Sequence, residues 1–379
     1  PPGTCITRAN QQSKDEMTEL LTEVGKLTEK ALSASGRGIT VYNPMSYERN
    51  GVFYADAAAP LAGVKAQQWT SDVYGRRKLA VSGVKLAPYS AKSFGYGRGE
   101  LNGKSAFCLD GNKLETPFAK IVFDGKGYIS SFIDKASGRE LRGEGYSLNT
   151  FLMAEDLPAH WDNWDVDADL ECKFADNSVL LSREIVSHGA AAVVIRSKYA
   201  ISKKSTVTQD AIYFADSAEI RFDTLMDWQD DHRFLKAAFD TSIHSDFARF
   251  EIQYGNVLRP TTRNNSVEKA KFEVVNHKYT DLSETRYGVS MLNDSKYGIS
   301  VEGGKMHLSL HKGGNRPDIE GDKGIHKTVY SFLPHDCGFS SEAVVKPAYE
   351  LNVPVIASKG DFEAIALVVP ENDNIIVEA

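Results

Sequence analysis

The chain is poor in cysteine: its 379 residues include four, Cys5, Cys108, Cys172 and Cys337. No two of them form a CxxC pair, so the spacing typical of a zinc finger or a dithiol redox site is missing. Scattered single cysteines are typical of a reducing compartment, whereas small secreted scaffolds use cysteines in dense pairs. We therefore expect a cytoplasmic protein without a disulfide framework.

An excess of positive charge is also absent. The sequence has 44 Lys and Arg against 51 Asp and Glu, a formal net charge of −7. Binding to nucleic acid or to an anionic membrane needs a basic face, and no apolar run approaches the roughly 20 residues of a membrane-spanning helix. We expect neither a nucleic-acid nor a membrane partner.

Familiar catalytic motifs are missing as well. The sequence contains no GxSxG elbow, HExxH helix, P-loop or Rossmann glycine fingerprint. Its nine histidines are dispersed, and we interpret His307 and His311, in a predicted strand, as surface side chains rather than metal ligands. Carboxylates are the remaining candidates for acid–base chemistry, and a glycosidase needs two of them about 5 to 10 Å apart. The sequence alone identifies no such pair, so no catalytic residue or metal ligand is predicted.

One helix is clear near the start. In SKDEMTELLTEVGKLTEKALSASG, Ser13 and Glu16 have the spacing of a capping box, and Gly36 is a plausible C-terminal stop. The apolar residues recur at helical spacing; they are Met17, Leu20, Leu21, Val24, Leu27 and Leu32. So continuous a stripe needs a partner. Either the helix docks on the β-domain that follows, or it belongs to a helical bundle whose other members are missing.

From residue 39 onward the apolar period changes to two, which predicts β-strands. ITVYN, GVFYAD, VKAQQWT, KLAVSG and AKSFGYG indicate a small β-sandwich over residues 37–102, ending in the polar stretch YGRGELNGKS. Residues 103–379 continue as strands and turns without predicted helices, and PHDCGFSSEAVVKPAYELNVP is interpreted as a turn-rich edge. So long a run of strands indicates a large two-sheet β-domain. The fold class is mainly β.

The stretch AEDLPAHWDNWDVD combines two indoles, Trp161 and Trp164, with five carboxylates. Large indoles are normally buried and carboxylates normally are not. A sugar site would use both, since pyranose rings stack on indoles and hydroxyls donate to carboxylates. A calcium site and a solvated loop pinned by one buried Trp are the alternatives. Asp162 and Asp165 are too close in sequence to flank a glycosidic bond, so we interpret them as hydroxyl acceptors.

Three further polar loops are candidates for binding, because loops on a rigid β-scaffold often carry function. They are RPTTRNNS (259–266), HKYTDLSE (277–284) and the glycine-rich LHKGGNRPDIEGDKGIH (310–326). For each of them a plain solvated connection is the alternative.

These residues, in order, are similar to the C-terminal half of glycoside hydrolase family 38, the α-mannosidases, in its cytosolic, vacuolar and bacterial branch. The matching segments are GKGYISSFIDKASGRE, DLPAHWDNWDVD, FLKAAF, FEIQYGNVLRPTTRNNSVEKAKFEV, HKYTDLSE, YGVSMLNDSKYG, HKGGNRPDIEGDKGIHKTVYSFLPH and AYELNVP. Relatives often have a His and two Trp where this chain has Thr262, Val267 and Tyr279. The resemblance runs from about residue 105 to the end of the chain.

The resemblance implies an architecture. Residues 1–36 would be the last helix of a three-helix bundle, residues 37–102 a small β-sandwich, and residues 103–379 a large supersandwich similar to galactose mutarotases, truncated at its C-terminus. Family members begin with an α/β barrel that carries zinc, an aspartate nucleophile and an acid/base carboxylate. None of the barrel motifs occurs here, so the chain is expected to be a fragment that binds no zinc itself.

The resemblance also implies a site. In the family, loops of the large β-domain approach the sugar. Trp161 or Trp164 would be an aromatic wall, Asp162 or Asp165 a hydroxyl acceptor, and Lys312 or Arg316 a basic group near mannose.

The expected function is that of the C-terminal β-domains of a retaining, zinc-dependent α-mannosidase. This enzyme would act on terminal α-D-mannose of oligosaccharides, with its own catalytic barrel as partner and with homo-oligomers as an option. The fragment alone is expected to be inactive. The alternatives are a stand-alone carbohydrate-binding module and a mutarotase-like epimerase, which would need a carboxylate beside His244, His277 or His326.

Overall fold

The structure, a computed structural model, describes residues 6–32, 36–97, 101, 103–360, 371–372 and 375. Cys5 and much of the predicted boundary near residue 99 lie outside the described residues. Within them, no helix is long and apolar enough to cross a membrane. Two antiparallel β-regions follow one N-terminal helix, which confirms the mainly β class.

Helix α1 (Thr7–Leu32) begins six residues before the predicted cap, so the capping box at Ser13 and Glu16 is wrong. The first turn instead contacts a distant loop: Thr7 Oγ1 and Asn10 Nδ2 donate to the Asp318 carboxylate at 2.9 and 3.0 Å. Beyond that turn the apolar stripe is uncovered. Its side chains from Met17 to Leu27 are each more than half exposed, so they do not dock on the β-domain that follows. The bundle alternative stays a prediction.

All five short strands predicted next are present. They are β1 (Gly38–Tyr42), β2 (Phe53–Ala55), β3 (Ala66–Ser71), β4 (Arg77–Ser82) and β5 (Ala91–Gly95). Strands β2, β4 and β3 form one antiparallel sheet, and β1 pairs with β5 in another. Their apolar faces share one core around Val41, Leu79 and Val81, and this core makes the region a small sandwich.

The larger region begins with a four-stranded meander and then alternates between two sheets. Its first strands are β6 (Cys108–Asp110), β7 (Lys113–Glu115), β8 (Ala119–Phe123), β9 (Ile129–Asp134), β10 (Thr150–Glu155), β11 (Val179–His188), β12 (Ala192–Ala200), β13 (Thr206–Phe214), β14 (Ile220–Trp228) and β15 (Arg233–Asp240). A 3-10 helix, Ala168–Lys173, lies between β10 and β11.

The remaining strands are β16 (Phe247–Ile252), β17 (Gly255–Pro260), β18 (Val274–Val275), β19 (Tyr279–Ser283), β20 (Gly288–Asn293), β21 (Gly298–Glu302), β22 (Lys305–Gly313), β23 (Gly324–His335) and β24 (Ile356–Lys359). Helix α2 (Ser266–Lys269) is a single turn. A π-helical turn, Ser341–Val345, leads into α3 (Lys346–Asn352). The prediction of a helix-free, turn-rich edge over residues 334–354 is therefore wrong.

Two large sheets enclose the main core. One has nine strands in the order β11-β12-β13-β14-β23-β20-β19-β16-β17, and the other five in the order β10-β15-β22-β21-β18. Strand β14 shows why they pack: buried side chains such as Phe222 alternate with partly exposed ones, the period-two pattern of a strand with one buried face. Phe239 of the five-stranded sheet stacks on Phe332 of the nine-stranded sheet, with ring centroids 5.4 Å apart.

The predicted division of the chain at residues 36 and 102 stays a prediction, and one strand departs from it. Strand β24 pairs antiparallel with β1, with Ile39 opposite Lys359, so the chain returns from the large region to the small sandwich. This return places α3 between the two regions. Arg49 of the small sandwich donates to the Val353 carbonyl at 2.7 Å and lies 3.8 Å from the Glu350 carboxylate.

Candidate functional site

The loop that follows β10 carries the two neighbouring indoles. Trp161 has a positive φ of 55°, and its carbonyl accepts the backbone N–H groups of Trp164 at 2.7 Å and Asp165 at 3.0 Å. This tight turn places the two rings side by side, with centroids 5.9 Å apart and planes tilted by 34°. Trp161 is 70% exposed and Trp164 51% exposed. Two large apolar rings held together at the surface form a platform for an apolar ligand face.

Asp162 joins this loop to the glycine-rich loop after β22. Its Oδ2 accepts the backbone N–H of Asn315 at 2.7 Å and that of Arg316 at 3.1 Å. Its Oδ1 lies 3.3 Å from Nδ1 of His232. The predicted hydroxyl acceptor is therefore already occupied by two backbone donors, and it fixes the position of the second loop.

Lys312 also stabilises the contact between these two loops. Its ammonium donates to Asp156 Oδ2 and, at 2.8 Å, to the Asp162 carbonyl. Asp156 is 2% exposed, and burial raises the pKa of its carboxyl while the bond to Lys312 opposes that rise. Lys312 does not line the cleft described below. Its side chain holds the two loops together at their base.

The two glycines of LHKGG allow other side chains to approach closely. A Cβ at Gly313 would lie 2.5 Å from the buried indole nitrogen of Trp228, and one at Gly314 would lie 1.9 Å from Asn163 Oδ1. Such distances are far inside van der Waals contact. Asn163 also donates to the Arg316 carbonyl. The double glycine is thus required for the packing of the two loops.

Together the two loops and the β14–β15 hairpin enclose a cleft of about 710 Å³, called here the aromatic cleft. Its lining residues are Leu157, Pro158, Trp161, Asp162, Asn163, Trp164, His232, Asn315, Arg316 and Pro317. Of the six predicted site residues, the structure brings Trp161, Asp162, Trp164 and Arg316 to this cleft, and does not bring Lys312 or the exposed Asp165 to it.

Two buried polar atoms of the cleft have incomplete hydrogen bonding. Asn315 Oδ1 is buried and is not hydrogen-bonded to any residue that the structure describes, whereas His232 Nδ1, also buried, has the Asp162 carboxylate 3.3 Å away but makes no well-directed hydrogen bond. Buried polar atoms are normally paired, so these two are candidates for ligand contact. Sequence reasoning missed His232, which lies in the hairpin DWQDDHRF about 70 residues beyond Trp161 and has no motif around it.

Two histidines, one at each end of the glycine-rich loop, form what we call the histidine clasp. His311 and His326 both donate through Nε2 to the Asp322 carbonyl, at 3.1 and 2.8 Å, and their rings lie 4.3 Å apart. His311 also packs against Trp228. Burial lowers the pKa of His311 to about 3 and lowers the pKa of His326, so both rings are neutral near pH 7.

No metal centre is found in the part of the chain that the structure describes: no three His, Cys, Asp or Glu side chains are grouped to hold an ion. The described residues therefore do not fit a zinc site. The histidines considered for an epimerase also lie apart. His277 packs on Tyr297, His326 packs on His311, and His244 is exposed in the loop before β16.

The positions that differ from the family pattern lie away from the aromatic cleft. Tyr279 is 3% exposed and packs against Phe339, with ring centroids 5.7 Å apart. Thr262 donates to Glu268 at 2.9 Å, and Val267 is exposed. None of the three lines the cleft. Their exchange therefore leaves the described lining of the cleft intact.

The comparisons with known proteins agree on one family. Residues 114–320 match the glycosyl hydrolases family 38 C-terminal domain. Alpha-mannosidase 2C1 from Homo sapiens is 35% identical over 249 residues, which cover 64% of this chain and 24% of that protein. Alpha-mannosidase G from Dictyostelium discoideum is 37% identical over 250 residues, covering 63% and 22%. The chain spans about a quarter of the length of the curated relatives it matches.

Solved structures agree on the fold. An alpha-mannosidase from Enterococcus faecalis V583 superposes with a TM-score of 0.66 at 14% identity, over 86% of this chain and 46% of that one. A glycosyl hydrolase family 38 protein from Enterococcus faecalis gives a TM-score of 0.68 at 14% identity, over 93% and 52%. At this identity the likeness concerns the fold alone. The family match covers more than half of the chain, and the chain therefore belongs to glycosyl hydrolase family 38, through its C-terminal domain.

Proposed function

We propose that this chain forms the C-terminal β-domains of a retaining, zinc-dependent α-mannosidase that removes terminal α-D-mannose from oligosaccharides. The aromatic cleft would complete the substrate site of a catalytic barrel that lies outside these 379 residues. The observation that carries the proposal is the pair of exposed, adjacent indoles, Trp161 and Trp164, in a cleft of a family 38 chain. The three unpaired thiols described, Cys108, Cys172 and Cys337, fit a cytoplasmic enzyme.

The cleft offers a pyranose ring two kinds of contact. The apolar C–H face of the sugar stacks on Trp161 or Trp164, and its hydroxyls reach His232 Nδ1, Asn315 Oδ1 and the exposed Arg316 side chain. Stacking on an aromatic ring contributes on the order of 1 kcal/mol beyond the area that it buries. The unpaired Asn315 Oδ1 adds specificity, because a ligand that leaves this buried atom unsatisfied loses affinity.

The residues that line the aromatic cleft favour a catalytic centre that lies outside it. A glycosidase needs two carboxylates, about 5 to 10 Å apart, on either side of the scissile bond. Among the described residues that line the aromatic cleft, Asp162 is the single carboxylate, and two backbone N–H groups already occupy its Oδ2. We therefore place the nucleophile, the acid/base carboxylate and the zinc ion in the barrel. Asp162 and Lys312 then act as supports for the two loops.

Tryptophan fluorescence tests the sugar contact directly. D-mannose titrated into this chain is expected to quench emission from Trp161 and Trp164, with a dissociation constant weaker than millimolar because half of the site is missing. The double variant Trp161→Ala/Trp164→Ala should lose the response. Trp69→Phe is the matched control, since Trp69 packs under Arg77 in the small sandwich, away from the cleft.

Equal quenching in the double variant and the wild type would refute the indole platform. A dissociation constant of millimolar or tighter, reached without a barrel, would favour the stand-alone carbohydrate-binding module instead.

A further inference from the structure

A second cleft lies on the outer face of the five-stranded sheet, away from the main core. It has a volume of about 350 Å³, and its lining includes Tyr146, Phe174, Lys236, Arg263, Ser300 and His307, together with the exposed Cys172. It shares no lining residue with the aromatic cleft. We call it the His307 cleft, and its size is at the lower end of the range for small-molecule sites.

Its walls come from two segments that cover the sheet. They are the 3-10 helix with the residue that follows it, and the loop after β17 that carries Arg263. The 3-10 helix Ala168–Lys173 lies over one side and is held there by an ion pair in which both terminal nitrogens of Arg263 donate to Glu171, one of them at 2.6 Å. Phe174 follows the helix and packs edge-on against Phe234, with centroids 5.8 Å apart. The cover turns an outward sheet face, which is commonly solvated in antiparallel sheets, into an enclosed one.

Charged groups are buried in its floor, and each has a partner. Lys236 is 3% exposed and donates to Glu273 and, at 3.0 Å, to Ser300 Oγ. Asp240 is 2% exposed and accepts His307 Nε2 at 2.7 Å and the backbone N–H of Tyr146 at 2.9 Å. Burying such groups is costly without partners. They lie on the face of the sheet opposite the main core, so closing the sandwich does not require them.

The partners define the charge of the cleft. The cations Lys236 and Arg263 are neutralised by Glu273 and Glu171. The exposed Lys305 and Glu302 add one charge of each sign to the lining, so the cleft offers an anion no net excess of positive charge. A neutral ligand that both donates and accepts hydrogen bonds fits better. Because His307 Nε2 donates to Asp240, a neutral ring leaves Nδ1 as an acceptor, and no described residue bonds to it. Ser300 Oγ, which accepts from Lys236, keeps its own O–H to donate.

From this arrangement we propose that the His307 cleft binds a neutral monosaccharide in pyranose form. Hydroxyls of the sugar donate to His307 Nδ1 and accept from Ser300 Oγ, while the rings of Tyr146 and Phe174 border its apolar edge. The proposal does not depend on the mannosidase assignment, because it concerns a different surface of the sheet and different residues.

Cys172 offers a site-resolved test, because its thiol is exposed at the edge of the cleft. The chain is alkylated with iodoacetamide with and without D-mannose, and the modified Cys172 and Cys108 peptides are followed by mass spectrometry. Mannose is expected to slow alkylation of Cys172 several-fold and to leave Cys108, an exposed thiol in the four-stranded meander, unchanged. D-glucose and D-galactose serve as further neutral probes, and sulfate as an anionic one.

Two variants link the protection to the proposed contacts. His307→Gln keeps a donor for Asp240 and replaces Nδ1 by an amide oxygen in a different position. Ser300→Ala removes one hydroxyl from a half-buried position, so circular dichroism should report folded protein for both variants. Both should lose the protection of Cys172, whereas Trp161→Ala/Trp164→Ala should keep it. The proposal is overturned if none of the three sugars protects Cys172, if sulfate alone protects it, or if the indole variant abolishes the effect.

Discussion

Replacing Lys312 by Met is expected to lower the free energy of unfolding by about 3 kcal/mol, because it leaves the buried carboxylate of Asp156 without its cation. The loss should shrink at acid pH, since burial already raises the pKa of Asp156 and removal of Lys312 raises it further. Urea unfolding measured near neutral and near acid pH gives both quantities. Quenching by mannose should weaken in parallel, because Lys312 also holds the Asp162 carbonyl.

Two controls identify the cause. Lys85→Met removes an exposed partner of Glu48, and such surface pairs contribute little, so stability should hardly change. The double variant Asp156→Asn/Lys312→Met removes both charges and should recover part of the loss. If Lys312→Met were as stable as Lys85→Met, the pair would not support the junction of the two loops.

Acid is expected to loosen the glycine-rich loop through its histidine clasp. The pKa of His311 falls from an ordinary 6.5 in the unfolded chain to about 3 in the folded one, so between these values the unfolded chain binds more protons. The clasp therefore contributes stability above about pH 6.5 that is lost as the pH falls towards 3, on the order of 5 kcal/mol in total. Lys296, whose own pKa is lowered by burial, adds a nearby charge that opposes protonation.

Other groups titrate in the same range, so the effect is read as a difference between variants. Burial raises the pKa of Asp156, Asp210 and Asp322, which favours the folded state as these carboxyls become protonated and opposes the histidine effect. His311→Gln keeps a donor for the Asp322 carbonyl but does not titrate, so its stability relative to wild type should rise as pH falls. His160→Gln, at an exposed position, is the control. If the free energy of unfolding changed with pH in the same way for wild type and His311→Gln, the histidine clasp would not be the source of the acid sensitivity.

Period-two patterning was enough to predict most of the β-architecture, since a strand with one buried face repeats its apolar residues at every second position. All five strands of the small sandwich were found this way. The segment with α3 was misinterpreted because Pro347 and the glycine and serine residues before it are typical of turns, yet proline is also well suited to the first turn of a helix.

The candidate site was predictable only in its parts. The indoles of WDNWD and the loop with Arg316 stood out by composition, but their union depends on a contact between Asp162 and backbone N–H groups some 150 residues away. No local pattern carries that information. It follows from the sheet order. Strands β10 and β22 both pair antiparallel with β15, so the loops after them lie at the same end of the sheet, where β15 begins. His232 enters the cleft for the same reason, from the hairpin that begins β15.

The assignment of chemistry to a barrel outside this chain is tested most directly by turnover of an aryl α-mannoside, measured for this chain with and without added zinc. We predict no turnover in either case, since among its described residues the aromatic cleft has one carboxylate, already bonded to backbone, and no grouping of metal ligands is found. Zinc-dependent turnover that disappears when one of the chain's own aspartates is replaced would contradict the account, because the catalytic carboxylates would then lie among these 379 residues.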